Sequence, residues 1–185
     1  MWILSVVMAV AGVWKLRQPA AATSALRVMG ARVPPSAVRA LGLGEVVLGV
    51  AAVVVGGRLT ALGLALAYAA FAVVAQRLRR SPTPVSCGCF GARSAPPGPI
   101  HVVVDAAAAT VAFFAVVAGV DGLAEAHGDL PAGGLAHGLA SAVGALAVIA
   151  LLTVLPEVRA AAAEPAATRG HVQLFGPTIP VRGRP

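Results

Sequence analysis

The chain has 185 residues, of which 58% are hydrophobic, 11% charged and 4% aromatic, with a formal net charge of +7. A soluble domain is about 45–50% apolar and about 25% charged, so a water-soluble fold is excluded. Disordered, collagen-like and disulfide-scaffold classes go with it, because the apolar runs are long, glycine has no period of three and there are two cysteines. A pI near 11.3 does not point to nucleic acid, since the basic residues are spread between apolar runs and only Arg77 to Arg80 is dense.

About 20 apolar residues cross a hydrocarbon core of about 30 Å. Five stretches approach that length: Met1–Leu16, Val38–Gly57, Leu59–Ala75, Ile100–Val120 and Leu135–Leu155. The expected fold is therefore all-α, a polytopic transmembrane helical bundle over residues 1–155, followed by a Pro-, Ala- and Arg-rich tail over 156–185 that reads as mostly disordered. The first stretch is short, about 21 Å from Met1 to Trp14 at ~1.5 Å per residue, so Lys15 and Arg17 are expected to snorkel. These charges follow the apolar run instead of preceding it, which favours an N-out anchor over a cleaved signal peptide.

With five spans, the first loop (Lys15, Arg17, Arg27, Arg32, Arg39), the third (Arg77, Arg79, Arg80, Arg93) and the tail (Arg159, Arg169, Arg182, Arg184) share one side. Every basic residue but Arg58 then lies there, opposite the acidic fourth loop with Asp121, Glu125 and Asp129. Positive-inside counting puts the N-terminus outside and the third loop and C-terminus in the cytoplasm of a cell membrane. Gly63/Ala67 and Gly138/Ala142 are small-xxx-small pairs suited to close helix packing.

The third loop carries Ser86-Cys87-Gly88-Cys89-Phe90-Gly91, which holds both cysteines of the chain. Residues i and i+2 can lie about 5.5–7 Å apart at Cα, at the edge of disulfide range, and Gly88 supplies the backbone angles that so small a ring requires. Ring strain makes such a disulfide exchangeable. Arg77, Arg79, Arg80 and Arg93 would favour thiolate, and Cys89, nearer in sequence to Arg93 and His101, is the first choice for it. Two thiols and His101 fall short of the four ligands of structural zinc, so no metal is expected. Inert loop cysteines are the plain alternative.

Charged residues inside spans are functional hypotheses by default. Glu45 lies about two turns into the second span, within reach of Lys15 at the end of the first, and an ion pair between them would dock the two helices. His101 and Asp105 are four apart on one helix face close after the cysteines, placed to relay a proton during thiol exchange.

Ala11-Gly12-Val13-Trp14-Lys15-Leu16, Gly44-Glu45-Val46-Val47-Leu48-Gly49 and the Cys-Gly-Cys-Phe-Gly loop followed by His101 together resemble the methylamine-utilisation protein MauE family, within the wider DoxX-like group of redox-associated membrane proteins. The likeness runs from about Gly12 to Gly119. It implies a DoxX-like four-helix core, here with a fifth helix. It also implies a part in maturing the disulfide-rich light subunit of methylamine dehydrogenase beside a thioredoxin-like partner. The leading expectation is a membrane thiol–disulfide or electron-transfer protein cycling Cys87 and Cys89 between dithiol and disulfide, with a quinone as a candidate electron acceptor. The runner-up is a non-catalytic assembly subunit of a membrane complex; proton or solute transport through Glu45 and Asp105 is third.

Overall fold

A computed structural model describes residues 1–83, 85–89, 96–119 and 131–163, the last of these with side chains over 138–154. The described elements are α1 (Trp2–Arg17), α2 (Pro19–Val28), α3 (Pro35–Val54), α4 (Gly57–Arg79), α5 (Pro99–Ala118) and α6 (Pro131–Ala163). The helices α2, α3 and α5 each start on proline, whose fixed φ suits the first turn and whose missing N–H costs nothing there.

The five apolar stretches lie on the helices α1, α3, α4, α5 and α6, and the protein is a polytopic helical membrane protein. Among the described residues α3, α4 and α5 are long and apolar enough to cross a bilayer, and α6 holds a shorter apolar stretch, Gly138–Val154. The second span ends earlier than its composition suggests, at Val54, because Gly56 and Gly57 take φ of 69° and 86° and turn the chain into α4. The fourth element runs on to Arg79, since Gln76, Arg77, Leu78 and Arg79 are all good helix formers. The helix α6 continues past Pro156 to Ala163, while residues 164–185, most of the expected tail, lie outside the described residues. The acidic loop with Asp121, Glu125 and Asp129 also lies outside them.

What faces in and what faces out follows from lipid as solvent. Leu41, Leu43, Val47, Val50, Leu66, Val103, Val111, Phe113 and Phe114 are exposed, an apolar surface too extensive for water. The interior is built instead from small and polar residues, including Ser5, Ala11, Gly12, Lys15, Gly42, Glu45 and Gly49. Helices in lipid gain little from burying more carbon and associate through close backbone packing and buried polar contacts.

The antiparallel α1–α3 pair shows this most clearly. A Cβ on Gly12 would sit 2.5 Å from the Gly42 carbonyl oxygen, and one on Gly49 would sit 2.5 Å from that of Ser5. Ser5/Gly12 and Gly42/Gly49 are each seven apart, so one narrow stripe on each helix makes the contact. The pairs expected to do this do not: Gly63 faces the Leu48 side chain and Gly138 has nothing near it. The helices α4 and α5 form a second antiparallel pair, and the two pairs meet in a core of Met8, Ala52, Leu64, Ala65, Tyr68, Ala108 and Ala112. Tyr68 satisfies its hydroxyl there by donating to the Leu4 carbonyl at 2.6 Å.

The helix α2 has no counterpart among the five apolar stretches. It lies across the ends of α1 and α3 and brings Ala22 and Ala25 against the cysteine loop.

Candidate functional site

The third loop leaves α4 at Arg80, turns through Ser81 to Thr83 and folds back under α2. Gly88 makes this possible twice over. Its φ is +73°, and a Cβ would fall inside the backbone of Ala21 and Ala22. Its N–H donates to Ser86 Oγ at 3.1 Å, closing the turn between the two cysteines. Cys87 is buried against Ala25 and Leu78, and Cys89 is half-buried against the same cluster. Both are free thiols.

The two sulfurs are hydrogen-bonded to each other, and this separates their chemistry. Accepting from the Cys89 thiol holds Cys87 below the usual thiol range, at about 7; a backbone hydrogen bond and, last, the Lys15 charge add to it, against burial and the Asp105 charge. Cys89 is pushed up, first by that same hydrogen bond, which keeps its proton in place, and then by burial. The pair therefore loses its first proton as a unit, with the charge on Cys87. Linear distance to Arg93 and His101 favours Cys89 as the thiolate, whereas the hydrogen bond between the thiols favours Cys87.

Arg77, Arg79 and Arg80 are exposed at the end of α4 in high dielectric, and Arg93 lies outside the described residues. The cation whose charge reaches both sulfurs is Lys15. Lys15 does not snorkel, as its place near the helix end had suggested; it is 3% exposed. Side chains on a helix tilt toward its N-terminus, which for Lys15 is into the bundle. Its Nζ meets Glu45 Oε2 at 2.8 Å and stands over the Phe71 ring, 4.8 Å from the centroid. The expected Lys15–Glu45 pair is thus formed. Glu45 Oε1 is buried without a hydrogen-bond partner among the described residues.

His101, in the first turn of α5, is buried and held on both sides: its Nδ1 accepts from the Gly98 N–H at 3.2 Å, and its remaining nitrogen bonds the backbone at Leu152 of α6. Because Nδ1 accepts, the neutral Nε2–H tautomer fits these partners. The ring ties α5 to α6 and has no nitrogen left over for an incoming proton. Asp105 is one turn further on, half-buried.

Cys87, Cys89, His101 and Asp105 line one cavity of about 40 Å³, otherwise walled by apolar side chains such as Met8, Phe71, Val104 and Leu152. It has room for a water or two, whereas an apolar cavity that takes up benzene measures about 150 Å³. A quinone ring does not fit it in this arrangement. The cavity places Asp105 and both sulfurs around one shared space, an arrangement no sequence pattern announced beyond the closeness of the residues in the chain.

Buried charge on helices and a lipid-facing exterior define a helical membrane protein, with two free thiols on a loop at one end of its bundle. The chain belongs to the family described as methylamine utilisation protein MauE, whose family model matches residues 1–121, all of α1 to α5 and the cysteine loop. The helix α6, which closes the cavity with Val148 and Leu152, lies beyond that match. No curated protein and no solved structure matches the chain.

Proposed function

We propose that the protein is an integral membrane thiol–disulfide accessory protein that exchanges electrons through Cys87 and Cys89 and serves, as its family's name suggests, methylamine utilisation. The observation that carries this reading is that two free thiols, two residues apart, line one cavity together, with Cys87 held below the usual thiol range by its neighbour. In the exchange, the Cys87 thiolate attacks one sulfur of a partner's disulfide and the partner's other sulfur leaves, taking up a proton. The Cys89 thiol then gives up its proton and attacks the Cys87 sulfur, releasing the partner's second thiol; the pair ends oxidised by two electrons and the partner reduced. Asp105, across the shared cavity, is placed to receive the Cys89 proton through a water. Partners of fitting chemistry are a thioredoxin-like protein and a disulfide-containing client such as the light subunit of methylamine dehydrogenase. The architecture we assign is a DoxX-like core of four spans with a fifth, over residues 1–155.

Arg17, Arg27, Arg39, Arg77, Arg79 and Arg80 are exposed around the same end of the bundle as the loop. Their clustering supports a cytoplasmic placement of the cysteines in the cell membrane, with the N-terminus outside.

The test is covalent trapping. Cys89→Ser keeps a hydroxyl to donate to Cys87 but cannot resolve a mixed disulfide, so it should accumulate an adduct with a partner on non-reducing gels; Cys87→Ser should accumulate none. Absence of an adduct from both variants overturns the reading. A non-catalytic assembly role would then stand, favoured by the burial of Cys87, at 8% exposure, among Ala25 and Leu78 as an ordinary small apolar residue.

A further inference from the structure

Lys15 is a lysine committed to the interior of a membrane protein, and its environment is more specific than helix docking requires. Its ammonium bonds Glu45 on α3 and rests on the Phe71 ring of α4. Phe71 is in turn a wall of the cavity that both sulfurs line, so one ring joins the cation to the dithiol site. Among the described residues, the other ionisable groups around the sulfurs are Tyr68 on α4, held by the Leu4 carbonyl, and His101 and Asp105 on α5. Neighbouring α2 presents Ala22 and Ala25 to the loop, while its Arg27 is exposed. Glu45 uses one oxygen on Lys15 and leaves the other without a partner among the described residues.

We propose that Lys15 is the fixed counter-cation of the Cys87 thiolate and that Glu45 is its holder, which positions the ammonium and offsets part of its field. The inference rests on the redox reading above. A buried positive charge stabilises the thiolate that the reduced pair carries and that no disulfide has, so it makes the pair more oxidising, as stabilising the reduced form does in other dithiol proteins. In low dielectric that effect is strong and barely screened by salt, unlike that of the exposed arginines. Glu45 prevents the charge from standing alone in the core, where an unpaired ion is strongly destabilising. Lys15 and Glu45 therefore act on the sulfurs with opposite sign, and a purely structural ion pair would not.

The experiment measures iodoacetamide alkylation of Cys87 against pH in the purified, reduced protein, resolved from Cys89 by peptide mass spectrometry. In the unaltered protein the rate should be half-maximal near pH 7, slow below it where the thiol is protonated and level above it. Lys15→Met should move that midpoint up and slow the reaction at pH 7 by about fivefold, the fall in thiolate fraction when a group half-ionised at that pH is displaced by about one unit. Glu45→Gln should move it down and speed the reaction at pH 6, and Lys15→Arg should keep the original profile. Should a single variant fail to fold, the double variant Lys15→Met/Glu45→Leu, which leaves no lone charge, should show a midpoint above the original and below that of Lys15→Met. Displacement of both single variants in the same direction, or a double variant with the original midpoint, overturns the proposal. Failure of trapping in the unaltered system strikes the redox reading itself; normal trapping with a midpoint indifferent to Lys15 strikes this inference alone.

Discussion

The α1–α3 pair and the cysteine loop hold ionisable groups in neighbouring parts of the bundle by opposite means. Lys15 and Glu45 stand on two helices whose backbones touch at Gly12, Gly42 and Gly49, so their separation is set by elements that cannot shift without breaking many contacts at once. Cys87 and Cys89 stand on a loop whose Gly88 lies against the backbone of Ala21 and Ala22 and whose thiols join the cluster around Ala25 and Leu78. A charge in lipid must keep its partner at all times, which calls for rigid supports. A sulfur that changes bonding partner must be able to move, which calls for a loop positioned by a scaffold.

The comparison breaks if both regions respond alike to substitution. The largest effect is expected from Gly12→Leu, which drives a side chain into the Gly42 carbonyl and the Val46 side chain; it should cost at least about 1–3 kcal/mol of overpacking and lower the thermal stability of the purified protein sharply. Gly44→Leu, at a position with nothing within 4 Å and facing outward, should leave that stability unchanged, although Gly44 and Gly12 belong to equally plain glycine motifs. An equal loss from both would mean that the α1–α3 seam is not where helix packing is decided.

A smaller and differently located effect is expected from Gly88→Ala. Alanine is strained at φ +73° and its Cβ collides with α2, so the loop must leave the helix. The bundle should keep its melting temperature to within a few degrees, because the loop adds little to the core, while alkylation of Cys87 should become faster at high pH as burial is lost. A large fall in melting temperature would show that the loop and α2 are part of the core after all.

The sequence made the bundle legible because lipid demands apolar runs of fixed length, and those runs locate α1, α3, α4, α5 and α6 with errors of a few residues at their ends. It hid α2, since Pro19-Ala-Ala-Ala-Thr-Ser-Ala-Leu-Arg-Val has no apolar run and reads as a loop, even though Pro at the first position and three alanines are good helix-forming signals. Residue type made Cys87, Cys89, Lys15 and Glu45 legible as candidates, and i to i+4 spacing placed His101 and Asp105 on one face. Nothing in spacing could reveal that Lys15 points inward, that the arginines point outward or that the imidazole of His101 is spent on Gly98 and Leu152. Those facts depend on how helices distant in sequence pack, and spacing along the chain carries none of that information.

The most direct test of the account is equilibrium titration of the two thiols. The purified protein, incubated in redox buffers of graded potential and then counted for free thiols, should pass between dithiol and disulfide in a single two-electron transition between about −300 and −100 mV, the range of exchange-active proteins. Two thiols that stay reduced across that range, or a disulfide that stays closed through it, would contradict the claim that Cys87 and Cys89 are an exchanging pair.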